Sequence, residues 1–186
     1  MILGITGTIG AGKGTVVEYL VKEKGFTHYS VREAITEEIL RRGLPVTRPN
    51  LNEVATDLRR THGPTHFGDH FRARAEQDGV KDYIIESIRN PKEAEKIKSI
   101  GGFIIIVDAD EHLRYDRVKG RGSHTDDVTF EEFQAHEARE MTTEDPSDPS
   151  FMDIAAVMRM ADATIMNDGT LEELHAKIDE VLATLS

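Results

Sequence analysis

The sequence predicts an α/β protein built on a parallel sheet with helices on both faces. Short runs of apolar and β-branched residues alternate with helical segments, and some of these runs, such as residues 103–107, are continuously apolar. Continuous apolarity is typical of strands buried on both faces, and alternating strands and helices imply parallel pairing with right-handed crossovers. The predicted strands are residues 2–6, 27–30, 83–87, 103–108 and 163–167.

Helix starts are marked by capping residues. Ser30, Thr129 and Thr170 each stand three residues before a glutamate, which is the capping-box pattern, and Asn90 precedes Pro91. The last helix carries an apolar stripe, which predicts packing on the sheet. The stripe consists of Leu171, Leu174, Ile178, Val181, Leu182 and Leu185.

Two stretches break this regularity. Residues 43–68 hold several prolines and glycines around a short helix expected near 51–61, and residues 120–149 are polar and acidic. We expect insertions at the substrate-binding rim of the sheet, an acceptor-binding one spanning about 31–79 and a lid spanning about 120–150. The 186 residues fit one domain, 1–186, and no internal repeat is visible.

Composition excludes several classes of protein. Hydrophobic residues make up 38% and charged residues 31%, as in an ordinary globular domain, and cysteine is absent, which rules out disulfides and thiolate metal sites. The net charge of −11 argues against a nucleic-acid or anionic-membrane partner. No apolar run approaches the ~20 residues of a membrane span. With no signal-peptide pattern at the start, we expect a cytoplasmic protein.

Arginine is concentrated locally against this acidic background. Of 14 arginines, nine lie between Arg32 and Arg89. The planar guanidinium binds phosphate through two parallel hydrogen bonds, so this stretch is the first place to expect an acceptor-phosphate site. The alternative is a set of solvated helix faces, and we expect about half of the nine to serve only that purpose.

The first predicted strand leads into a phosphate-binding loop. Residues 7–13 match G-x-x-x-x-G-K between a strand and a helix. Glycines let backbone N–H groups surround phosphates, the helix N-terminus adds partial positive charge, and Lys13 reaches the β- and γ-phosphates. The predicted nucleotide-binding residues here are Gly7, Thr8, Gly10, Ala11, Gly12, Lys13, Gly14 and Thr15. Since Gly14 replaces the usual Ser or Thr, either Thr15 supplies the Mg²⁺ hydroxyl or the ion is held through water.

Gly12-Lys13-Gly14-Thr15 resembles the nucleoside monophosphate kinase branch of P-loop proteins, adenylate kinase included. Residues 84–91 resemble the third-strand segment of those kinases, residues 115–121 the entry to their lid, and residues 161–174 the last strand and helix of dephospho-CoA kinase. The resemblance covers most of the chain. It implies a three-layer P-loop kinase fold with a five-stranded parallel sheet of order 2-3-1-4-5.

The resemblance also implies site roles. Lys13 would be catalytic, and Arg117 and Arg121, four residues apart on one helix face, would neutralise the transferring phosphoryl group. The acceptor phosphate would be held by Arg32, Arg59 and Arg89, with Arg89 counted as catalytic as well. Glu86 would border the substrate and organise Mg²⁺ with Thr15, directly or through water, and Asn167 and Gly169 would edge the base. Glu86 stands where many relatives have Asp, and Arg89 follows it by three residues rather than four.

The function that follows is transfer of the γ-phosphoryl group of ATP, with Mg²⁺, to a ribo- or deoxynucleoside monophosphate. Two alternatives stay open: dephospho-CoA-kinase-like phosphorylation of a nucleotide-containing metabolite, and a P-loop NTPase or nucleotide-binding regulator without an acceptor. Paired lid arginines and an arginine-rich acceptor region favour transfer. Partners are expected to be small nucleotides, and the oligomeric state is left open between monomer and homodimer.

Three histidines share helical spacing. On a continuous helix, His62, His66 and His70 would align as metal ligands, but glycines and a proline interrupt the segment. We therefore expect no metal there and place His66 in the acceptor pocket.

Overall fold

The computed structural model describes residues 1–120, 128–142, 145 and 147–185. Within these ranges the chain forms five strands and nine helices. The strands are β1 (Ile2–Gly7), β2 (Thr27–Ser30), β3 (Tyr83–Glu86), β4 (Phe103–Asp108) and β5 (Ala163–Met166). The helices are α1 (Lys13–Lys24), α2 (Val31–Arg41), α3 (Arg48–His62), α4 (His66–Asp78), α5 (Pro91–Ser99), α6 (Glu111–Gly120), α7 (Phe130–Met141), α8 (Ile154–Arg159) and α9 (Leu171–Thr184).

The sheet is parallel throughout, in the order β2-β3-β1-β4-β5. Ile5 of β1 lies opposite Glu86 of β3 and Ile105 of β4, so the register brings the carboxyl ends of the central strands to one edge. The predicted fold and strand order are confirmed. In open α/β sheets, ligands bind outside this edge, where strand order reverses.

Two apolar cores cover the two faces of the sheet, which makes three layers. Alternation along the strands divides them: Ile84 and Ile105 face one core, whereas Ile85 and Ile104 face the other. The first core is completed by α1 and α9, and the second by α2–α5 and α8. Leu174 and Ile178 of the predicted α9 stripe are buried, as expected.

The segment predicted as an acceptor-binding insertion is built into the fold. The helix expected at 51–61 runs from Arg48 to His62 because Thr47 caps it and a proline occupies its first turn, and α4 follows it. Val54 and Phe67 enter the second core together with strand residues. The segment therefore forms much of one helical layer.

The lid region contains one described helix, α7. The predicted capping boxes at Thr129 and Thr170 are both formed, and the Ser30 hydroxyl accepts a hydrogen bond from the Glu33 N–H. Phe133 is the buried anchor of α7. Across the described parts of the chain, no helix has the length and apolarity required to cross a bilayer.

Candidate active site

The loop between β1 and α1 has the backbone of a phosphate cradle. Gly7 has φ of 140° and Gly12 has φ of 90°, conformations that L side chains rarely adopt. A Cβ on Gly7 would lie 1.9 Å from the Val107 carbonyl oxygen, and one on Gly12 would lie 2.3 Å from Asn167 Nδ2. These glycines are therefore needed for the close backbone packing that shapes the loop.

Cationic and dipolar groups converge on this loop. Lys13 Nζ donates to the carbonyl oxygens of Gly7 (3.0 Å) and Thr8 (2.8 Å). The first N–H groups of α1 point toward the loop, and no side chain in the described part of the chain caps them. A helix N-terminus with a lysine across a glycine-rich loop fits a polyphosphate.

An open pocket of about 370 Å³ adjoins the loop. Its apolar wall comes from Leu171 and Leu174 at the start of α9, and Leu171 is 50% exposed. The pocket is lined by Gly10, Gly12, Thr15, Arg117, Asn167, Gly169, Leu171 and Leu174. A partly apolar pocket beside a phosphate loop has the size and position for the base of a nucleotide.

Asn167 and Arg117 both belong to this pocket. Asn167 Nδ2 donates to the Ala11 carbonyl oxygen at 2.9 Å, which braces the phosphate loop, and Arg117 Nη2 donates to the Asn167 carbonyl oxygen at 2.9 Å. Arg117 Nη1 is buried and has no hydrogen-bond partner among the described residues. In this structure Arg117 contacts Asn167 beside the phosphate loop, and its closure over the transferring group stays a prediction. Arg121 lies outside the described residues.

Glu86 sits in a cluster of positive charge at the end of β3. Its Oε2 lies 3.1 Å from His28 Nε2. Burial raises the Glu86 pKa, but the hydrogen bond and charge of His28, together with the charges of Lys13 and Arg89, outweigh burial and lower the pKa overall. Glu86 is therefore an ionised carboxylate at the end of β3, within electrostatic reach of Lys13 and Arg89.

Ser87 has an unusual backbone. Its φ is 69°, making it the one positive-φ residue other than glycine in the described chain. Its N–H donates to the Ile5 carbonyl oxygen at 2.9 Å, which ties the end of β3 to β1. A left-handed residue costs about 1–2 kcal/mol, and such strain recurs at functional sites.

Arg114 on α6 is a site residue that the sequence argument missed. Its guanidinium donates to the carbonyl oxygens of Ala109 (2.9 Å) and Ile9 (3.2 Å), and both its terminal nitrogens contact the Glu137 carboxylate. It therefore connects the phosphate loop to α7. The sequence feature that could have indicated Arg114 is its position one helical turn before Arg117 on α6.

Arg59 does not lie in an open cleft. Its side chain is 1% exposed, and its Nε and Nη2 donate to the fully buried Glu93 carboxylate at 2.8 and 3.1 Å. Arg60, its neighbour, is on the exposed side and pairs with Asp148. Arg59 was expected to hold the acceptor phosphate; in this structure its guanidinium is buried against Glu93 and joins α3 to α5.

The other acceptor-site arginines lie nearer to solvent. Arg32 is exposed on the first turn of α2, and no described side chain pairs with it. Arg89 is half-buried, and its Nη1 contacts the Glu140 carboxylate of α7. Glu140 also lies 3.9 Å from Arg48, a residue that the sequence argument did not single out.

The three histidines do form a row. The rings of His62 and His66 stack with centroids 4.8 Å apart, and those of His66 and His70 are 6.0 Å apart. Burial, followed by the neighbouring His62, His70 and Arg59 charges, lowers the His66 pKa to about 4, so His66 is neutral near pH 7. Within the described chain, no group of three or more acidic or histidine side chains is arranged to hold a metal.

A magnesium ion would need other ligands. Thr15 lines the pocket and Glu86 is ionised, and these oxygen donors are of the type that Mg²⁺ takes. Mg²⁺ is commonly held by one or two protein groups together with substrate phosphates, so two donors fit.

Comparison with known proteins gives the family. A family model described as AAA domain matches residues 3–143. The UPF0200 protein of Sulfurisphaera tokodaii is 30% identical over 183 residues, covering 97% of this chain and 95% of that protein. The crystal structure of TT1252 from Thermus thermophilus is similar at 22% identity and a TM-score of 0.57, covering 100% of this chain and 98% of that one. Shikimate kinase from Aquifex aeolicus has 18% identity and a TM-score of 0.54, covering 100% and 96%.

These structural likenesses confirm the P-loop kinase fold expected from the motifs. The family match covers most of the chain, and the sequence relative matches almost end to end. The chain therefore belongs to the AAA domain family and to the UPF0200 proteins.

Proposed function

We propose that this protein transfers the γ-phosphoryl group of ATP to a nucleoside or deoxynucleoside monophosphate. One observation carries the proposal: β1, which leads into the phosphate loop with Lys13, and β3, which leads to Arg89, are paired neighbours, and the Ser87 N–H at the end of β3 donates to the Ile5 carbonyl oxygen of β1. The charges of Lys13 and Arg89 both lower the pKa of Glu86 at this strand end. A hydrolase needs one phosphate site, whereas a phosphotransferase needs two adjacent ones. The two neighbouring strand ends would thus supply one cation to the donor phosphates and a second to the acceptor phosphate.

The donor side uses the loop and its pocket. The loop amides and Lys13 bind the phosphates, while Leu171 and Asn167 border the base. Thr15 and Glu86 would hold Mg²⁺, which supplies positive charge to the phosphate oxygens when bound. Phosphoryl transfer depends on alignment and charge, which these residues provide.

The acceptor side needs no general base for a monophosphate. A phosphate ester loses its second proton with a pKa of about 6, so its oxygen is already an anion at neutral pH. That oxygen attacks the γ-phosphorus as the bond to the β–γ bridging oxygen breaks, which yields ADP and a nucleoside diphosphate. Arg89 would orient the acceptor phosphate, and Arg32 is positioned on the neighbouring helix start to assist.

A second candidate is phosphorylation of a hydroxyl group on a nucleotide-containing metabolite. One observation favours it: among the arginines between 32 and 89, Arg32 alone has no ion pair with a described carboxylate. Neutralised arginines leave less positive charge for an acceptor phosphate than their number suggests.

The test is ADP formation from Mg·ATP with each ribo- and deoxynucleoside monophosphate and with dephospho-CoA. Turnover on one or a few monophosphates supports the proposal, and turnover on dephospho-CoA alone supports the second candidate. A rate of ADP formation that no acceptor changes would contradict both proposals and favour an NTPase.

A further inference from the structure

Glu140 near the end of α7 lies between two arginines from different parts of the chain. One carboxylate oxygen contacts Arg89 Nη1, and the other lies 3.9 Å from Arg48 Nη1. Arg89 follows β3, and Arg48 is the first residue of α3. The two guanidinium groups therefore converge on one oxyanion from separate elements.

This arrangement differs from the local ion pairs within single helices of the arginine-rich segment. Arg72 and Arg74 pair with carboxylates four residues away on the same helix, as exposed helical residues commonly do. Arg89, Glu140 and Arg48 are 26%, 18% and 35% exposed, so the cluster is partly desolvated but open to a small ion. Two converging guanidinium groups are the arrangement that binds phosphate well.

The cluster is also linked to the donor loop. Arg89, which contacts Glu140, lies close enough to Glu86 to lower its pKa, and Lys13 of the phosphate loop acts on the same carboxylate. Glu137, three residues earlier on α7, pairs with Arg114, which contacts the loop at Ile9. The helix that carries Glu140 is thus held at the active-site edge by a separate contact.

We propose that Arg48 and Arg89 together form the anion subsite for the acceptor phosphate, and that the Glu140 carboxylate fills this subsite until an acceptor displaces it. The inference rests on the proposed function and adds Arg48 as a binding residue and Glu140 as an internal competitor. Because displacement requires an anion, Glu140 selects phosphorylated acceptors over neutral ones. Removing its charge strengthens acceptor binding, and removing Arg48 weakens it.

The test is binding of inorganic phosphate by calorimetry to protein whose donor loop is saturated with Mg²⁺ and a non-hydrolysable ATP analogue. Glu140→Gln is compared with Glu131→Gln, which removes the same charge from an exposed position on α7. Arg48→Gln is compared with Arg72→Gln, whose arginine has an exposed partner on its own helix. Partly exposed ion pairs contribute up to about 1 kcal/mol, which implies a change of about two- to fivefold.

The expected result is tighter phosphate binding in Glu140→Gln, weaker binding in Arg48→Gln, and wild-type affinity in both controls. Equal affinities for Glu140→Gln and Glu131→Gln would overturn the inference, as would unchanged binding in Arg48→Gln. The measurement needs no turnover, so it separates the two proposals. If phosphate binding changes as expected but no acceptor is phosphorylated, the subsite is supported and the proposed kinase activity is contradicted. If an acceptor is phosphorylated but phosphate binding does not change, the kinase activity is supported and the subsite is contradicted.

Discussion

Replacing one partner of the buried Arg59–Glu93 pair should strongly destabilise the protein. In Glu93→Leu, the Arg59 guanidinium, 1% exposed in the wild type, loses both of its hydrogen bonds to the carboxylate. An uncompensated buried charge costs about 3–5 kcal/mol. For a chain of this size, each kcal/mol shifts Tm by about 2–4 °C, so we expect a fall of about 6–20 °C.

Equilibrium urea unfolding followed by circular dichroism measures the loss of unfolding free energy, and thermal unfolding measures the fall in Tm. Glu76→Gln is the control, since the exposed Arg72–Glu76 pair should contribute less than about 1 kcal/mol. The double variant Arg59→Met/Glu93→Leu should recover most of the loss, because apolar replacement of a buried pair is often neutral. A loss below about 1 kcal/mol in Glu93→Leu, or no recovery in the double variant, would refute the reasoning.

The same double variant tests whether Arg59 contacts the acceptor. If Arg59 joins α3 to α5 and contacts no substrate, the double variant should keep the acceptor KM within about twofold of the wild type. A guanidinium that binds phosphate with charge-assisted hydrogen bonds contributes about 1.5–3 kcal/mol, so its loss would raise KM by tenfold or more. A rise of that size would return Arg59 to the acceptor site.

Three further predictions follow from local geometry. Gly12→Ala should weaken ATP binding more than tenfold in calorimetry, because φ of 90° and a distance of 2.3 Å from the added Cβ to Asn167 Nδ2 exclude a side chain. Gly68→Ala is the control and should leave ATP affinity unchanged; equal affinities of the two variants would contradict the prediction. Ser87→Val should lower the free energy of unfolding by about 1–2 kcal/mol, because φ of 69° strains a β-branched residue. Ser87→Gly should not destabilise the protein. If urea unfolding showed Ser87→Val to be more stable than Ser87→Gly, the prediction would be contradicted. His66, whose folded pKa of about 4 lies below the unfolded value of about 6.5, takes up its proton more readily when unfolded, so stability should fall as pH drops from 6.5 to 4. The full pKa difference corresponds to about 3 kcal/mol, and solvent screening of the partly exposed ring reduces the expected loss to on the order of 1–2 kcal/mol. In His66→Asn the unfolding free energy should change less over that range, and an identical pH profile would remove His66 as the cause.

The strands and the phosphate loop were predictable because their signals are local. A continuously apolar run such as 103–107 is typical of a strand buried on both faces, and the spacing from Gly7 to Lys13 is typical of a phosphate-binding loop. Capping boxes at Thr129 and Thr170 are equally local, and both are formed. Sheet order came from the resemblance to a known fold, since strand periodicity alone leaves order open.

The arginines were harder because a guanidinium takes its role from a partner distant in sequence. Arg59 lies 34 residues from Glu93, and Arg89 lies 51 residues from Glu140. Nothing near Arg59 in the chain indicates that its partner is a buried glutamate. Arg114 was missed for the same reason: its contacts with Ile9 and Glu137 exist only after the sheet has formed.

The histidine row shows that side chains can stay in contact across a break between two helices. Glycines and a proline do interrupt the helix, and α3 and α4 are separate. The break is short enough, however, for His62 to stack on His66 across it. The stacked rings pack against one another, and burial, followed by the neighbouring charges, lowers the His66 pKa.

Transfer of label from γ-³²P-ATP tests the central claim most directly. The wild-type protein and Lys13→Ala are incubated with Mg²⁺ and the mixed nucleoside monophosphates, and products are separated by chromatography. The account predicts label on an acceptor product and a loss of at least about 100-fold in Lys13→Ala, because Lys13 stabilises charge on the transferring phosphate. Label found only in inorganic phosphate, or acceptor labelling by Lys13→Ala within a few-fold of the wild type, would contradict it.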